Sequence, residues 1–435
     1  MSLHRLRSAS SLFLVAAFAI SYSACSDDGA PPADPGADAG TDAGALEDVP
    51  ENDSGAPPTD AAPDADASRD ADAAPVCGDG KIEGDEECED GASTDGDGCD
   101  SACHLEPGWQ CTTIGQPCTP TKCGDGLVQG TEQCDNGKHD WSSGCTPTCT
   151  LLPSCTDGVC APICGDGIVS AGEACDDGNN RPFDGCSATC TVEPGFTCTL
   201  IEDAPPPKLT LPVVHRDFRG YDLPAGGGLP RGHIDFQNRN AGHETGIVAT
   251  TLDANGKLVY AKSGGSSANT NSKEAFDNWF SNTPPHNLPI DGTIELSFNG
   301  ASSNYTFGSE AYFPIDAAGF VARGEEPLRP DEEDTPRNFS FTTEMRTWFE
   351  YAGTEVISAG GDDDIWLFVN GRLAIDLGGV HGPQNQSVTL AQRADALGLT
   401  VGGRYEIAIF RAERHTSGSS FQISLRPPPR SHCVK

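Results

Sequence analysis

The sequence predicts a mainly β protein: an antiparallel β-sandwich in the C-terminal half, preceded by small disulfide-rich repeats and a disordered acidic linker. Three observations carry this reading. Residues 77–198 hold 17 of the 19 cysteines in a pattern that recurs three times. After residue 208, short apolar runs alternate with polar residues and are broken by Gly and Asn turns, the signature of a sandwich. Residues 26–76 are almost entirely Asp, Ala, Pro, Gly and Thr, which cannot bury enough surface to offset the entropy of ordering.

The 435 residues have room for two or three domains. The formal charge is −38, from 65 acidic and 27 basic residues. A nucleic-acid partner is thereby excluded, because phosphate neutralisation needs clustered Lys and Arg. The charge is uneven. Residues 26–76 carry 14 acids against one base, residues 77–198 carry 22 against 4, and residues 199–435 carry 29 against 20.

Residues 1–24 place Arg5 and Arg7 before an apolar core from Leu12 to Ile20, then small residues. That is a secretory signal, too short to span a membrane. Ser23-Ala24-Cys25 resembles the end of a bacterial lipobox, which implies a lipid anchor on Cys25. Tyr22 stands where lipoprotein signals usually carry Leu, and ordinary cleavage is the alternative. Residues 25–76 then read as an extended acidic tether.

Three cysteine-rich units follow, at 77–118, 123–160 and 164–198. Each opens Cys-Gly-Asp-Gly, reaches a second Cys at plus eleven and a third at plus twenty-two, and closes a Cys-x-x-x-Cys pair. Units this small must be held by disulfides. Six cysteines allow fifteen pairings, and spacing does not choose among them. The pattern resembles the Myxococcus cysteine-rich repeat, including Glu106-Pro107-Gly108-Trp109-Gln110-Cys111 and Glu193-Pro194-Gly195-Phe196-Thr197-Cys198. Asp176-Asp177-Gly178-Asn179 and Asp95-Gly96-Asp97-Gly98 offer oxygen ligands at calcium-like spacing, or are simply turn residues. The third unit lacks a sixth Cys. The simplest accounting pairs Cys198 with Cys433, making the intervening chain an insertion in the last repeat.

In the C-terminal domain, 209–426, strands are expected at 293–299, 338–343, 365–369, 405–409 and 421–425. Ser272 caps a helix over 273–280, and 391–397 is a second helix ending at Gly398. Ile365-Trp366-Leu367-Phe368-Val369 is apolar on both faces and so central. Asn370-Gly371 turns it back as a hairpin, since a type I′ turn needs positive φ at both central residues. Residues 427–435 form a tail with Cys433. At the entrance to the hairpin stand Asp362, Asp363 and Asp364. Three adjacent carboxylates repel one another, so water or a bound cation must offset them.

His215-Arg216-Asp217-Phe218, Tyr312-Phe313-Pro314-Ile315-Asp316, Asn338-Phe339-Ser340-Phe341, Gly361 to Asn370, Ala374 to His381 and Ala412-Glu413-Arg414-His415 together resemble the fibro-slime domain. That domain is similar to the protective-antigen-type β-sandwich of bacterial toxins, glycosidases and yeast adhesins. In the adhesins an Asp pair joined by a cis peptide holds a calcium ion that contacts sugar hydroxyls. The resemblance puts Asp362 and Asp363 at that pair, with Asp364 where relatives usually have Gly. It implies calcium as cofactor and an extracellular glycan or matrix polymer as partner. Calcium takes six to eight oxygens, and Asn370, Asp376 and the 378–382 loop are candidates to complete its shell. A solvated loop tip is the alternative. Glu413 and Arg414 are expected to pair with each other.

No nucleophile elbow, Walker loop, metalloprotease helix or dinucleotide fingerprint is present, and the adjacent Asp residues are too close for a glycosidase pair. The reading is therefore a binding protein rather than an enzyme: exported, held at the cell surface or outer membrane by lipid alone, or secreted. A structural matrix or coat protein without a small ligand is the alternative.

Overall fold

The alternation that begins at Lys208 builds ten strands of one continuous antiparallel sheet. A computed structural model describes residues 76–435, apart from Asp85, Pro107, His139 and Ser142. Its strands are β1 (Lys208–Phe218), β2 (Asn287–Asn299), β3 (Asn304–Ser309), β4 (Phe341–Glu350) and β5 (Val356–Gly361). They continue with β6 (Asp364–Val369), β7 (Arg372–Leu377), β8 (Gln384–Thr389), β9 (Arg404–Glu413) and β10 (Phe421–Leu425). The chain divides into two units, Met1–Arg69 and Asp70–Lys435, and all described residues lie in the second. The signal 1–24, Cys25 and the tether up to residue 75 lie outside the described residues.

The strand order is β7-β6-β9-β4-β1-β2-β3-β10-β5-β8. The sheet doubles over, so residues of strands far apart in that order share one core: Val213, Leu296, Ile357, Leu367, Val388, Ile409 and Ile423. This is the antiparallel sandwich. Burial on both faces of β6 is explained by a second, aromatic layer. Trp366 and Phe368 of β6 and Phe410 of β9 pack against Phe218, Phe236, Trp279 and Phe280. Most of that layer comes from the 219–286 excursion between β1 and β2, which carries no strand alternation and was marked in the sequence only by the helix that Ser272 caps.

The hairpin turns as expected, with Asn370 at φ 52° and Gly371 at φ 67°. The helices are shorter than the sequence suggests. Ser272 accepts a hydrogen bond from Ala275 N at 3.0 Å, but the helix is the single turn Lys273–Phe276, because Trp279 and Phe280 leave it to enter the aromatic layer. The second is a 3-10 turn, Leu390–Gln392, followed by Ala394–Leu397, which Gly398 ends at φ 69°.

In each repeat the first Cys joins the fourth and the second joins the third, as in Cys77–Cys103 and Cys88–Cys99. The fifth joins the sixth in the first two repeats, Cys111–Cys118 and Cys155–Cys160. In the third repeat Cys198 joins Cys433, where strand Thr197–Leu200 pairs with strand Ser431–Val434. The acid after the second Cys ties down the glycine-rich opening. Glu89, Asp135 and Asp176 accept from Gly78, Gly124 and Gly165 N at 2.7, 2.8 and 2.8 Å. Asp176 also accepts from Gly167 and Gly178 N, which satisfies this carboxylate as a turn residue.

A free-standing spacer would not touch the sandwich, yet the second and third repeats pack on it. Arg404 N donates to Gly158 O at 2.9 Å, Val169 N to Pro429 O at 2.9 Å and Ser431 N to Asp176 O at 2.6 Å. Trp141 of the second repeat is buried.

Candidate functional site

Asp362 and Asp363 form the link by which the chain crosses from β5 to β6. The two strands lie in opposite halves of the doubled sheet, so the link must be tight. Gly361 makes it possible: its φ is 146°, and a Cβ there would sit 2.2 Å from Ser420 O. The Asp362–Asp363 peptide is cis.

The link opens into a cleft of about 180 Å³ lined by Asp362, Asp363, His381, His415, Ser417 and Asn240, among others. Four further segments form its walls, at Asn240, Glu332, Val380–Pro383 and His415–Gly418. The stretch after β7 is held by a short ladder, Gly379–Val380 against Gly242–His243, and the stretch after β9 carries His415 and Ser417. His243 and His381 rings lie 5.5 Å apart, edge to face.

One oxygen of each carboxylate is engaged. Asp362 accepts a short hydrogen bond from Ser420 N, and Asp363 Oδ2 accepts from Arg414 N at 3.0 Å. Among the described residues the other oxygen of each accepts no hydrogen bond. Asp363 is 4% exposed. Burial, reinforced by Asp364 and Asp362, pushes it up to about 8 against the attraction of Arg414. Two hard, incompletely satisfied oxygens side by side in a cleft fit a divalent cation, although calcium requires further oxygens from loops or ligand.

Asp364 does not join them. It is fully buried, accepts from Arg414 Nε at 2.6 Å and from Gly379 N at 2.5 Å, and is absent from the cleft wall. The cluster of three is therefore a pair plus a structural anchor. Its partner Arg414 is buried too, and donates to Asn269 O at 2.9 Å and to Asp235 O at 3.3 Å while lying 4.4 Å from the Trp279 ring centroid. Glu413 and Arg414 do not pair with each other. Neighbours on a strand face opposite sides, so Glu413 turns inward to Arg411 at 2.9 Å.

Arg411 also donates to the Asp362 carbonyl at 2.8 Å and to Ser419 Oγ at 2.7 Å. Burial, with Asp363 nearby, pushes Glu413 well up. Sequence reasoning missed Arg411 and Arg414 as supports of the site; the only signal was Arg411 following the apolar run Ile407 to Phe410, with Arg414 just past the strand's end. Of the candidates for the rest of a cation shell, only the 378–382 loop reaches the cleft. Asn370 is at the far end of β6, donating to Leu397 O at 3.0 Å. Asp376 accepts from Trp366 Nε1 at 2.9 Å and from Gly246 N at 2.8 Å.

The antiparallel sandwich sets the fold class, and comparison with known families bears on the fold. Residues 304–435, from β3 onwards, match the PA14 domain. Residues 72–104, 105–150 and 151–191 each match a domain of unknown function, DUF4215. The chain thus carries a PA14 domain preceded by three cysteine-rich repeats of that kind.

Relatives include three Dictyostelium discoideum proteins. Protein psiQ is 36% identical over 199 residues, 45% of this chain and 20% of psiQ. Protein psiR is 35% identical over the same length and share. Protein psiB is 33% identical over 230 residues, 50% of this chain and 39% of psiB. The chain spans about a fifth of the length of the first two. Among solved structures, the Epithelial Adhesin 6 A domain of Candida glabrata aligns over 54% of this chain and 87% of its own, at 14% identity and a TM-score of 0.21. A superposition that loose carries no argument.

Nine disulfides join described residues, as befits an extracellular or cell-surface protein. Among the described residues no helix is long and apolar enough to cross a membrane.

Proposed function

We propose that this chain is a non-enzymatic surface-binding protein whose sandwich, of fibro-slime type, takes glycan through a calcium ion held by Asp362 and Asp363. The observation that carries the reading is the pair of adjacent carboxylates in the loop-walled cleft, each with one oxygen unengaged. Calcium supplies a point where vicinal sugar hydroxyls replace water. The chain's own residues do the rest. Ser420 N, Arg414 N and Arg411 hold the two acids in place, His415 offers Nε2, and the Ser417 hydroxyl, which donates to Glu332 at 3.2 Å, can accept from the sugar. Cys25 carries a lipid anchor in this reading, with the tether holding the folded part away from a bacterial outer membrane. The partner is an extracellular glycan or matrix polymer.

The test is retention of the full chain on a glycan array, with calcium and with chelator. The expected result is retention on a subset of glycans, abolished by chelator and by Asp362→Ala/Asp363→Ala. Identical binding by the double variant, with and without chelator, would sink the reading. In that case a structural role in a matrix, with the sandwich packing against like chains, takes its place.

A further inference from the structure

The sheet forks at the end away from Asp362 and Asp363. β4 pairs with β1 only from Phe341↔Asp217 to Met345↔Val213. Beyond that, β1 stays with β2 down to Lys208↔Ser297, and β4 stays with β9 to Glu350↔Arg404. The physical reason is Pro212: it has no N–H, so the ladder to β4 cannot continue past Val213. Between the parted strands lies a cleft of about 260 Å³, walled by Thr210 and Pro212 on one arm and Thr347 and Trp348 on the other. The second and third repeats close it with Trp141 and Asp166, and Arg430 of the C-terminal segment completes the wall.

Among the described residues, two polar atoms on this wall have no hydrogen-bond partner. Asp166 is 7% exposed and its Oδ2 accepts nothing; Trp141 is 4% exposed and its Nε1 donates to nothing. Buried polar groups are ordinarily satisfied, and each exception asks for an explanation. Here the two orphans are complementary, an acceptor and a donor, beside two indoles and several threonine hydroxyls. A charged ligand would be drawn by Asp166 and repelled by Arg430, or the reverse. A neutral ligand with hydroxyls and an apolar face satisfies all of them, and the cleft is slightly smaller than an ordinary drug-sized pocket of about 300 Å³ or more.

We infer that this fork is a second binding site, taking one neutral sugar ring stacked on Trp348 or Trp141 and hydrogen-bonded to Asp166. It lies past the far end of β6, six residues from the Asp pair, or roughly 20 Å at 3.3 Å per residue. It therefore works without calcium.

The experiment is a titration of the full chain, in chelator, with free glucose, galactose, mannose and N-acetylglucosamine in turn, followed by tryptophan fluorescence. Working in chelator separates this site from the calcium reading, which can fail alone. At least one sugar should give a saturable change with a dissociation constant of about 1–10 mM. Asp166→Asn and Trp348→Leu should each weaken it by about tenfold or more. Trp348 is half-buried, so its variant carries the test if Asp166→Asn does not fold. No saturable change with any of the four sugars overturns the inference, as does one that both folded variants leave unaltered.

Discussion

Asp363 and Asp364 share a peptide bond but not an environment. Asp364 is paired with Arg414 at 2.6 Å, both fully buried, so removing the arginine strands a buried carboxylate. Arg414→Met should cost about 3–5 kcal/mol in urea unfolding. Asp363 has the opposite balance, since burial and its acidic neighbours oppose its charge. In chelator at pH 8, Asp363→Asn should be at least as stable as the native chain by the same measurement. A marked loss would mean that the carboxylate is structural. The acid cluster itself was legible in the sequence, but its division of labour was not. That division depends on Arg414, fifty residues away, and on strand alternation, which sends Glu413 to Arg411 and Arg414 to Asp364.

The hairpin from Asp364 to Leu377 is the element the sequence specifies best. Apolar residues on both faces require a central strand, and Asn370-Gly371 requires the turn. Nothing lies within 4 Å of a Cβ placed on Gly371, so Gly371→Ala tests the backbone alone. It should destabilise by about 1 kcal/mol through the left-handed conformation, without changing calcium affinity, as read by paired unfolding and calcium titration. By contrast the aromatic layer from 219–286 was legible only in its helix at Ser272, because residues such as Phe236 and Tyr260 are spaced by loop geometry rather than by a helical or strand period. The fork at Pro212 was equally hidden, since a proline in a strand does not say which neighbour it loses.

On the scale of the molecule, repeats and sandwich form one packed structure closed by Cys198–Cys433, 235 residues apart. The triplication and the odd cysteine were readable from spacing. The docking of the repeats was not, because the Gly158, Val169 and Asp176 contacts are mostly backbone. Cys198→Ser/Cys433→Ser should lower stability by about 2–4 kcal/mol in denaturant titration.

Burial also holds Asp166 and Asp217 up at about 7. An acid whose folded pKa exceeds its unfolded value contributes stability below the unfolded value, and that contribution is lost as pH rises through 7. Glu344 does not offset this. Burial would raise it, but Lys257, Arg216 and Arg346 hold it down at about 2, so its contribution changes only in stronger acid. His215 and His233, held down at about 3 and about 4 by burial, work the other way up to about pH 6.5, so the thermal midpoint in chelator should fall as pH rises from about 6.5 to 8.

The central claim is the cation at Asp362 and Asp363, and calcium titration followed by thermal unfolding tests it most directly. At a hundredfold excess over the dissociation constant, calcium should stabilise the native chain by ~2.7 kcal/mol. It should leave a cooperatively folded Asp362→Asn/Asp363→Asn variant unchanged. Equal stabilisation of both, or of neither, would contradict the account.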